Sequence, residues 1–144
     1  DEGVPATALV PSDDSLGQDW TAIEFNDDSW TSGITGVGLG LQPSFRPLIS
    51  LDIESAMYQV NGSAYIRVPF EVADPSSLAL AKLFLRMKYE DGYVAYLNGT
   101  EVARRNAPDK LAWDSNATRL RIDNAALRFE DAEISEFIHL LQLI

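Results

Sequence analysis

The clearest periodic segment is AYIRVPFEVA, residues 64–73, in which Ala64, Ile66, Val68, Phe70 and Val72 alternate with Tyr65, Arg67, Pro69 and Glu71. A period of two with one apolar face predicts a half-buried strand, and Pro69, which has no N–H to give, places that strand at an edge or a bulge. Asp74–Ser77 (DPSS) reads as a turn. In the following LALAKLFLRMKY, Leu83, Leu85, Met87 and Tyr89 share one face, and Phe84, Arg86 and Lys88 the other. Ala, Leu, Lys and Met favour helix, but the alternation and the segment after it argue for strand. DGYVAYLNGTEVAR then divides into two alternating runs around Asn98-Gly99. Asn-Gly between such runs is a strong hairpin signal, because both turn positions need positive φ.

The remaining elements are shorter. A strand is expected near Trp20–Phe25, then a turn-rich loop through Gly40, and another strand within LISLDI. Residues 106–118 form a long loop carrying Trp113; TRLRI (118–122) and LRFEDAEI are expected strands. At the end the period changes: Ile134, Phe137, Ile138 and Leu141 fall at i, i+3, i+4, i+7, with Ser135 placed to cap a short helical turn. Many short strands, frequent turns and one terminal helical turn predict an all-β chain, an antiparallel β-sandwich, as a single domain over residues 1–144. A parallel α/β fold would need helices between the strands, and the pattern contains none.

Composition narrows the function classes. The chain of 144 residues is 46% apolar and 23% charged, with a formal net charge of −11. That surface repels phosphate backbones and anionic membranes, which argues against a nucleic-acid partner. No apolar run approaches the roughly 20 residues of a membrane helix, so membrane insertion is not expected. The absence of cysteine removes disulfides, thiolate metal sites and a cysteine nucleophile. The acidic start, without an initiator Met, has the look of a piece of a longer chain. Asn61-Gly-Ser63, Asn98-Gly-Thr100 and Asn116-Ala-Thr118 are sequons, which count only in a eukaryotic secretory pathway.

Four segments, FNDDSWTSGITGVGLG, AYIRVPFEV, KYEDGYVAYLNGTEVARRNAP and AWDSNAT, occur in this order. Together they resemble the galactose-binding-like jelly-roll module of large secreted or surface bacterial proteins of planctomycete type, which often carry lamin-tail or spore-coat-kinase-like domains. The layout is also similar to the sugar-binding domain of family 2 glycoside hydrolases. The resemblance covers about residues 9–142. It implies a two-sheet jelly roll and a non-catalytic accessory role beside neighbouring domains of an extracytoplasmic bacterial protein. Carbohydrate is the implied partner, and a spacer or protein-binding role without a sugar ligand is the alternative. Fold by itself does not fix which. Two departures stand out: Glu90-Asp91-Gly92 replaces the usual Asp-Asp-Gly, and the final strand the family carries after Leu141-Gln142 is not present before Ile144.

The candidate ligand-binding residues are Trp113, Glu90, Asp91, Tyr93, Arg67 and Arg104. Sugars stack on exposed aromatic faces while polar groups read the hydroxyls. Trp113, in a polar loop, is the aromatic best placed for this, with core packing as the simpler reading. Trp20 and Trp30 are expected in the core, Trp30 anchoring the FNDDSW loop. Asp91 and Gly92 are expected to build a turn, with Gly92 supplying a positive φ. The arginines are expected to pair with surface carboxylates. No cofactor is implied; calcium, which needs several oxygen ligands, has Asp27, Asp28 and Asp91 as its candidates. No catalytic residue is assigned: His139, the one histidine, sits in the apolar terminal turn with no nucleophile beside it. Glu90 and Asp91, adjacent on the chain, point to opposite faces rather than across a glycosidic bond.

Overall fold

A computed structural model describes residues 2–74 and 82–141. The turn expected from Asp74 to Ser77 and the first part of the strand before Tyr89 lie largely outside the described residues. The chain is rich in strands, with a few short helices, and divides into two compact units, residues 1–69 with 110–116 and residues 70–109 with 117–144.

The first unit holds strands β1 (Pro5–Leu9), β2 (Thr31–Ile34), β3 (Val37–Gly38), β4 (Leu51–Asp52) and β5 (Tyr65–Arg67), and the helix α1 (Glu54–Met57). β1 is the centre of a three-stranded antiparallel sheet ordered β2-β1-β5. β3 and β4 pair in parallel, Val37 with Leu51 and Gly38 with Asp52, so the chain is not antiparallel throughout. Ala8, Leu51 and Ile53 form the core, with Val10, Val37, Met57 and Ala64 against it. Leu51 and Ile53 turn inward and Asp52 outward, the alternation that a half-buried strand requires.

The expected strand over 64–73 shortens to three residues. Val68 and Phe70 on either side of Pro69 are exposed, and the proline removes the ladder donor just past Arg67. The strand expected at Trp20–Phe25 is instead a 3-10 turn over Asp19–Thr21. Thr21 Oγ1 donates to the Gln18 carbonyl at 2.8 Å, a local side-chain bond that competes with strand pairing. The strand of this region lies further on, at β2.

The second unit holds β6 (Phe84–Met87), β7 (Tyr93–Leu97), β8 (Thr100–Arg105), the helix α2 (Asp123–Ala126), β9 (Glu130–Glu133) and a 3-10 helix over Ser135–Leu140. β7 and β8 are the expected hairpin, closed by Asn98 (φ 48°) and Gly99 (φ 85°) with Leu97 opposite Thr100. The register then shifts between Ala95, paired with Ala103, and Tyr96, paired with Glu101, which leaves Val102 as the extra residue of a β-bulge. β6 pairs antiparallel with β9, and β6 keeps its alternation, Phe84 and Arg86 outward, Leu85 and Met87 inward.

No strand forms over 118–122. The Arg121 N–H donates to Asp91 Oδ1 at 2.8 Å instead of to a neighbouring strand, and Leu120 and Ile122 are 90% and 76% exposed. The terminal helical turn is present, but Ser135 is its first residue rather than its cap. Ser135 Oγ accepts the Leu83 N–H at 3.0 Å and so ties the helix to the start of β6. No helix of the described residues is long and apolar enough to cross a membrane.

Candidate functional site

Arg67 and Asp27 meet in the first unit, 3.3 Å apart and largely sheltered, with side chains 19% and 26% exposed. Arg67 Nη1 donates to the Trp20 carbonyl and, at 2.9 Å, to that of Ala22. Its Nε is buried without a directed hydrogen bond, although Asp27 Oδ2 is the nearest charge. The contact is therefore an ion pair out of line with the N–H. Thr7 Oγ1 donates to the same Asp27 oxygen. Around this pair the aromatics gather. Trp20 stacks on Tyr65 at 4.3 Å and 8° between planes, Trp30 lies against Trp20, Phe25 and Tyr65, and the Arg67 guanidinium sits 5.5 Å from the Phe25 ring. Trp30 is buried, as expected of an anchor. Arg67 and Asp27 thus fasten the 19–30 loop onto β1 and β5. Asp28 is exposed beside them, its N–H donating to Asn26 Oδ1 at 2.8 Å.

Asp91, Tyr93 and Arg104 lie in the second unit. Asp91, with φ 63°, rather than Gly92 is the left-handed residue of its turn. Gly92 is required for room: a Cβ there would lie 2.8 Å from the Arg105 carbonyl oxygen and 2.9 Å from that of Asn106. Asp91 accepts the Arg121 N–H on Oδ1 and the Asn106 side-chain amide on its carbonyl, at 2.7 Å. Glu90 is exposed, yet desolvation by its surroundings, helped by the Asp91 and Asp123 charges, pushes its carboxyl up from the ordinary value. Tyr93 meets the Tyr89 ring edge-on at 4.7 Å, and burial pushes its hydroxyl up. Arg104 forks onto both carboxylate oxygens of Glu101, at 2.5 and 2.7 Å, and onto the Pro108 carbonyl at 2.9 Å.

Sequence reasoning did not single out Glu130, which organises this unit. It accepts from the Tyr89 hydroxyl at 2.9 Å, Arg105 Nε at 2.9 Å and Arg121 Nη2 at 3.0 Å. Arg121 also lies 4.0 Å above the Tyr89 ring. The Tyr89 hydrogen bond foremost, then that of Arg105, holds the Glu130 carboxyl below its usual value, and the Arg121 charge acts in the same direction. The partners come from separated segments, so no local spacing marks them.

Trp113 is half-buried, and its carbonyl accepts from Asn61 Nδ2, which also donates to the Pro11 carbonyl at 2.8 Å. Ser63 Oγ, two residues on, donates to the Ser115 carbonyl at 2.6 Å. His139 is exposed, its Nδ1 2.9 Å from the Glu136 carbonyl oxygen. Among the described residues no three His, Cys, Asp or Glu side chains converge as a metal site would require.

A concave surface feature lies elsewhere, in the first unit. It is a shallow groove of about 570 Å³ lined by Asp52, Glu54, Ser55 and Tyr58, with an adjoining recess of about 230 Å³ lined by Gly40, Arg46, Ile49, Asp52 and Glu54. α1 builds the groove: Ile53 is buried and Met57, four residues on, lies against the core, while Glu54 and Tyr58, at the same spacing, share the outer side. The Glu54 N–H donates to Asp52 Oδ1 at 2.8 Å, which fixes the turn from β4 into the helix. Tyr58 is 51% exposed. Asp52 Oδ2, the Glu54 carboxylate and the Tyr58 hydroxyl have no hydrogen-bond partner among the described residues. Two strand residues and a four-residue helix are too short for either period to be recognised from sequence. The signal available was the polar set Asp52, Glu54, Ser55, Tyr58 interleaved with Ile53 and Met57.

No protein-family model, curated protein or solved structure matches this chain.

Proposed function

We propose that the chain is a non-catalytic, carbohydrate-binding-like accessory module of a larger extracytoplasmic bacterial protein, built on a jelly-roll plan. One observation carries the ligand-binding part: a half-exposed tyrosine beside the Glu54 carboxylate and the second oxygen of Asp52, at the rim of an open groove. An aromatic face accepts the apolar side of a sugar ring, and unspent carboxylate oxygens accept its hydroxyls. The other sequence candidates favour an architectural role. Arg67 holds a loop, Arg104 is spent on Glu101, and Asp91 carries its turn. The open shape of the groove and the commitment of the Asp91 carboxylate to the Arg121 N–H support binding over hydrolysis. The strand-rich chain and the Asn98-Gly99 hairpin support the jelly-roll plan, and the sequence resemblance supports the setting.

The test is glycan-array binding of the wild-type chain, Tyr58→Ala and Trp113→Ala, each shown by circular dichroism to be folded. Saturable binding lost in Tyr58→Ala and kept in Trp113→Ala is the expected result. Loss in Trp113→Ala alone places the sugar on the 106–118 loop instead. No signal from the folded wild-type chain overturns the sugar reading in favour of a protein-binding spacer, a role that the exposed Leu120 and Ile122 would serve.

A further inference from the structure

Asn61-Gly62, Asp91-Gly92 and Asn98-Gly99 are pairs at which a polypeptide can modify itself. Glycine has no Cβ to shield its backbone nitrogen and the widest choice of φ and ψ, so that nitrogen can reach the side-chain carbonyl carbon of the residue before it. After asparagine, a bond forms between the glycine nitrogen and Cγ and the Cγ–Nδ2 bond breaks. The glycine proton passes through solvent to the departing amide, which leaves as ammonia. Water then opens the succinimide at either carbonyl, to aspartate or isoaspartate. The reaction consumes only water, but it requires a side chain that can swing away from its partners and a glycine nitrogen that is not already donating.

The fold closes two of these pairs. Asn61 Nδ2 donates to the Pro11 and Trp113 carbonyls at 2.8 and 3.3 Å, and its Oδ1 accepts the Ser63 N–H at 3.0 Å. Gly62 is hemmed in as well, since a Cβ there would lie 2.1 Å from Asn116 Oδ1. Asp91 Oδ1 accepts the Arg121 N–H, and the Gly92 nitrogen is engaged, donating to the Glu90 carbonyl at 2.9 Å. Asn98 has a single side-chain bond, from Nδ2 to the Leu140 carbonyl at 2.8 Å. Its Oδ1 and the Gly99 N–H have no hydrogen-bond partner among the described residues, and Gly99 is exposed at the hairpin tip.

We infer that Asn98 is a site of spontaneous covalent modification, deamidating in the folded chain ahead of the other two pairs, and that its conversion unfastens the end of the terminal 3-10 helix. Among the described residues that helix is tied at its start by Ser135 Oγ to the Leu83 N–H and at its end by the Leu140 carbonyl to Asn98. Aspartate at 98 replaces the donor with an acceptor, oxygen against oxygen. Isoaspartate also lengthens the backbone by one carbon within a two-residue turn, whose length sets the hairpin register. The Ser135 tie is untouched, so the loosening is confined to the helix end. The two additional bonds at Asn61 slow its reaction relative to Asn98 by about tenfold or more.

The experiment incubates the full chain for days to weeks at mildly alkaline pH, with and without urea, and follows each pair by peptide mapping with mass spectrometry and isoaspartate methyltransferase labelling. The expected result is conversion at Asn98 about tenfold faster than at Asn61 in the folded chain, with the two rates converging in urea, where both are simply Asn-Gly before a hydroxyl residue. Asn61 or Asp91 converting first in the folded chain, or Asn98 no faster than Asn61, overturns the site. Hydrogen exchange then compares the fresh chain with its aged fraction, separated by the negative charge it gains, and with Asn98→Asp. The Leu141 N–H, which donates to the Ile138 carbonyl at 3.1 Å, should exchange several-fold faster in both, on the scale of one lost hydrogen bond. The aged fraction keeps the test open if Asn98→Asp does not fold. Unchanged exchange at Leu141 in the aged fraction overturns the unfastening.

Discussion

Replacing Arg67 by methionine keeps most of the side chain's length and apolar stem but removes the guanidinium. Two carbonyls, those of Trp20 and Ala22, then lose their shared donor, and Asp27 loses its counter-ion. A hydrogen bond from a charged donor is worth about 1.5–3 kcal/mol, and breaking a fully buried ion pair by removing one partner costs about 3–5 kcal/mol. Here both side chains keep roughly a fifth to a quarter of their exposure, so water recovers part of the loss. The expected destabilisation is about 2–4 kcal/mol, a fall in Tm of roughly 6–15 °C for a chain of this size. Urea titration followed by tryptophan fluorescence measures it, since Trp20 and Trp30 report on the cluster that the arginine fastens. A double-mutant cycle with Asp27→Asn should return a coupling of about 1 kcal/mol or more. Arg86→Met is the internal control. Its pair with Asp131 is shorter, 2.8 Å, but the side chains are 63% and 50% exposed, and removing it should cost under about 0.5 kcal/mol. If Arg67→Met proves no more harmful than Arg86→Met, the 19–30 loop is held by its aromatics alone and the assigned role of Arg67 is wrong.

Glu130 should make stability depend on acid. Its folded-state pKa is lowered by the Tyr89 and Arg105 hydrogen bonds. Its contribution is therefore present above the unfolded value of about 4.3 and is lost as pH falls through the folded value. Urea midpoints measured from pH 7 down to pH 3 should decline less steeply in Glu130→Gln than in the wild type; parallel curves would contradict the network. Asn98→Ala puts a residue with no local hydrogen bond at φ 48° and deletes the amide that donates to the Leu140 carbonyl at 2.8 Å. It should cost about 2–3 kcal/mol in urea titration, and Asn98→Gly clearly less. Gly92→Ala drives a methyl group into the carbonyls of Arg105 and Asn106; a cost of about 1–3 kcal/mol is expected, and a neutral change by the same titration would mean that the turn yields.

Much of the strand content was legible because its signals are local. Asn98-Gly99 lies between two alternating runs, and the turn forms there with both φ values positive. The alternation of Phe84, Leu85, Arg86 and Met87 survives as alternating exposure. Where the expectation failed, a side chain had taken the backbone's place. Thr21 closes a 3-10 turn where a strand was expected, Asp91 captures the Arg121 N–H, and Ser135 serves Leu83 rather than its own helix. The β-bulge at Val102 was hidden because skipping one pairing partner leaves the apolar pattern of β7 unchanged. Among the candidate ligands, Arg67 and Asp27 are far apart in sequence, and only the folded chain brings them together. Tyr58 went unnoticed because it follows a helix of a single turn.

The Asn61 clip has a practical consequence for how the chain is produced. Asn61 sits in an Asn-Gly-Ser sequon, and the nitrogen that would carry an N-linked glycan is the one that bonds the Pro11 and Trp113 carbonyls. Glycosylation precedes completion of the fold and leaves that nitrogen a single hydrogen on a bulky substituent. At Asn98 the nitrogen makes one bond, to the Leu140 carbonyl, and the conflict there is the bulk of the substituent rather than the loss of a hydrogen. Secretion from yeast or mammalian cells would thus set the oligosaccharyltransferase against the folding of this chain at two of its three sequons. Bacterial expression avoids the conflict and leaves the asparagine amides free to close their loops, whereas alanine at Ser63 would remove the sequon at the cost of the Ser63 bond to the Ser115 carbonyl.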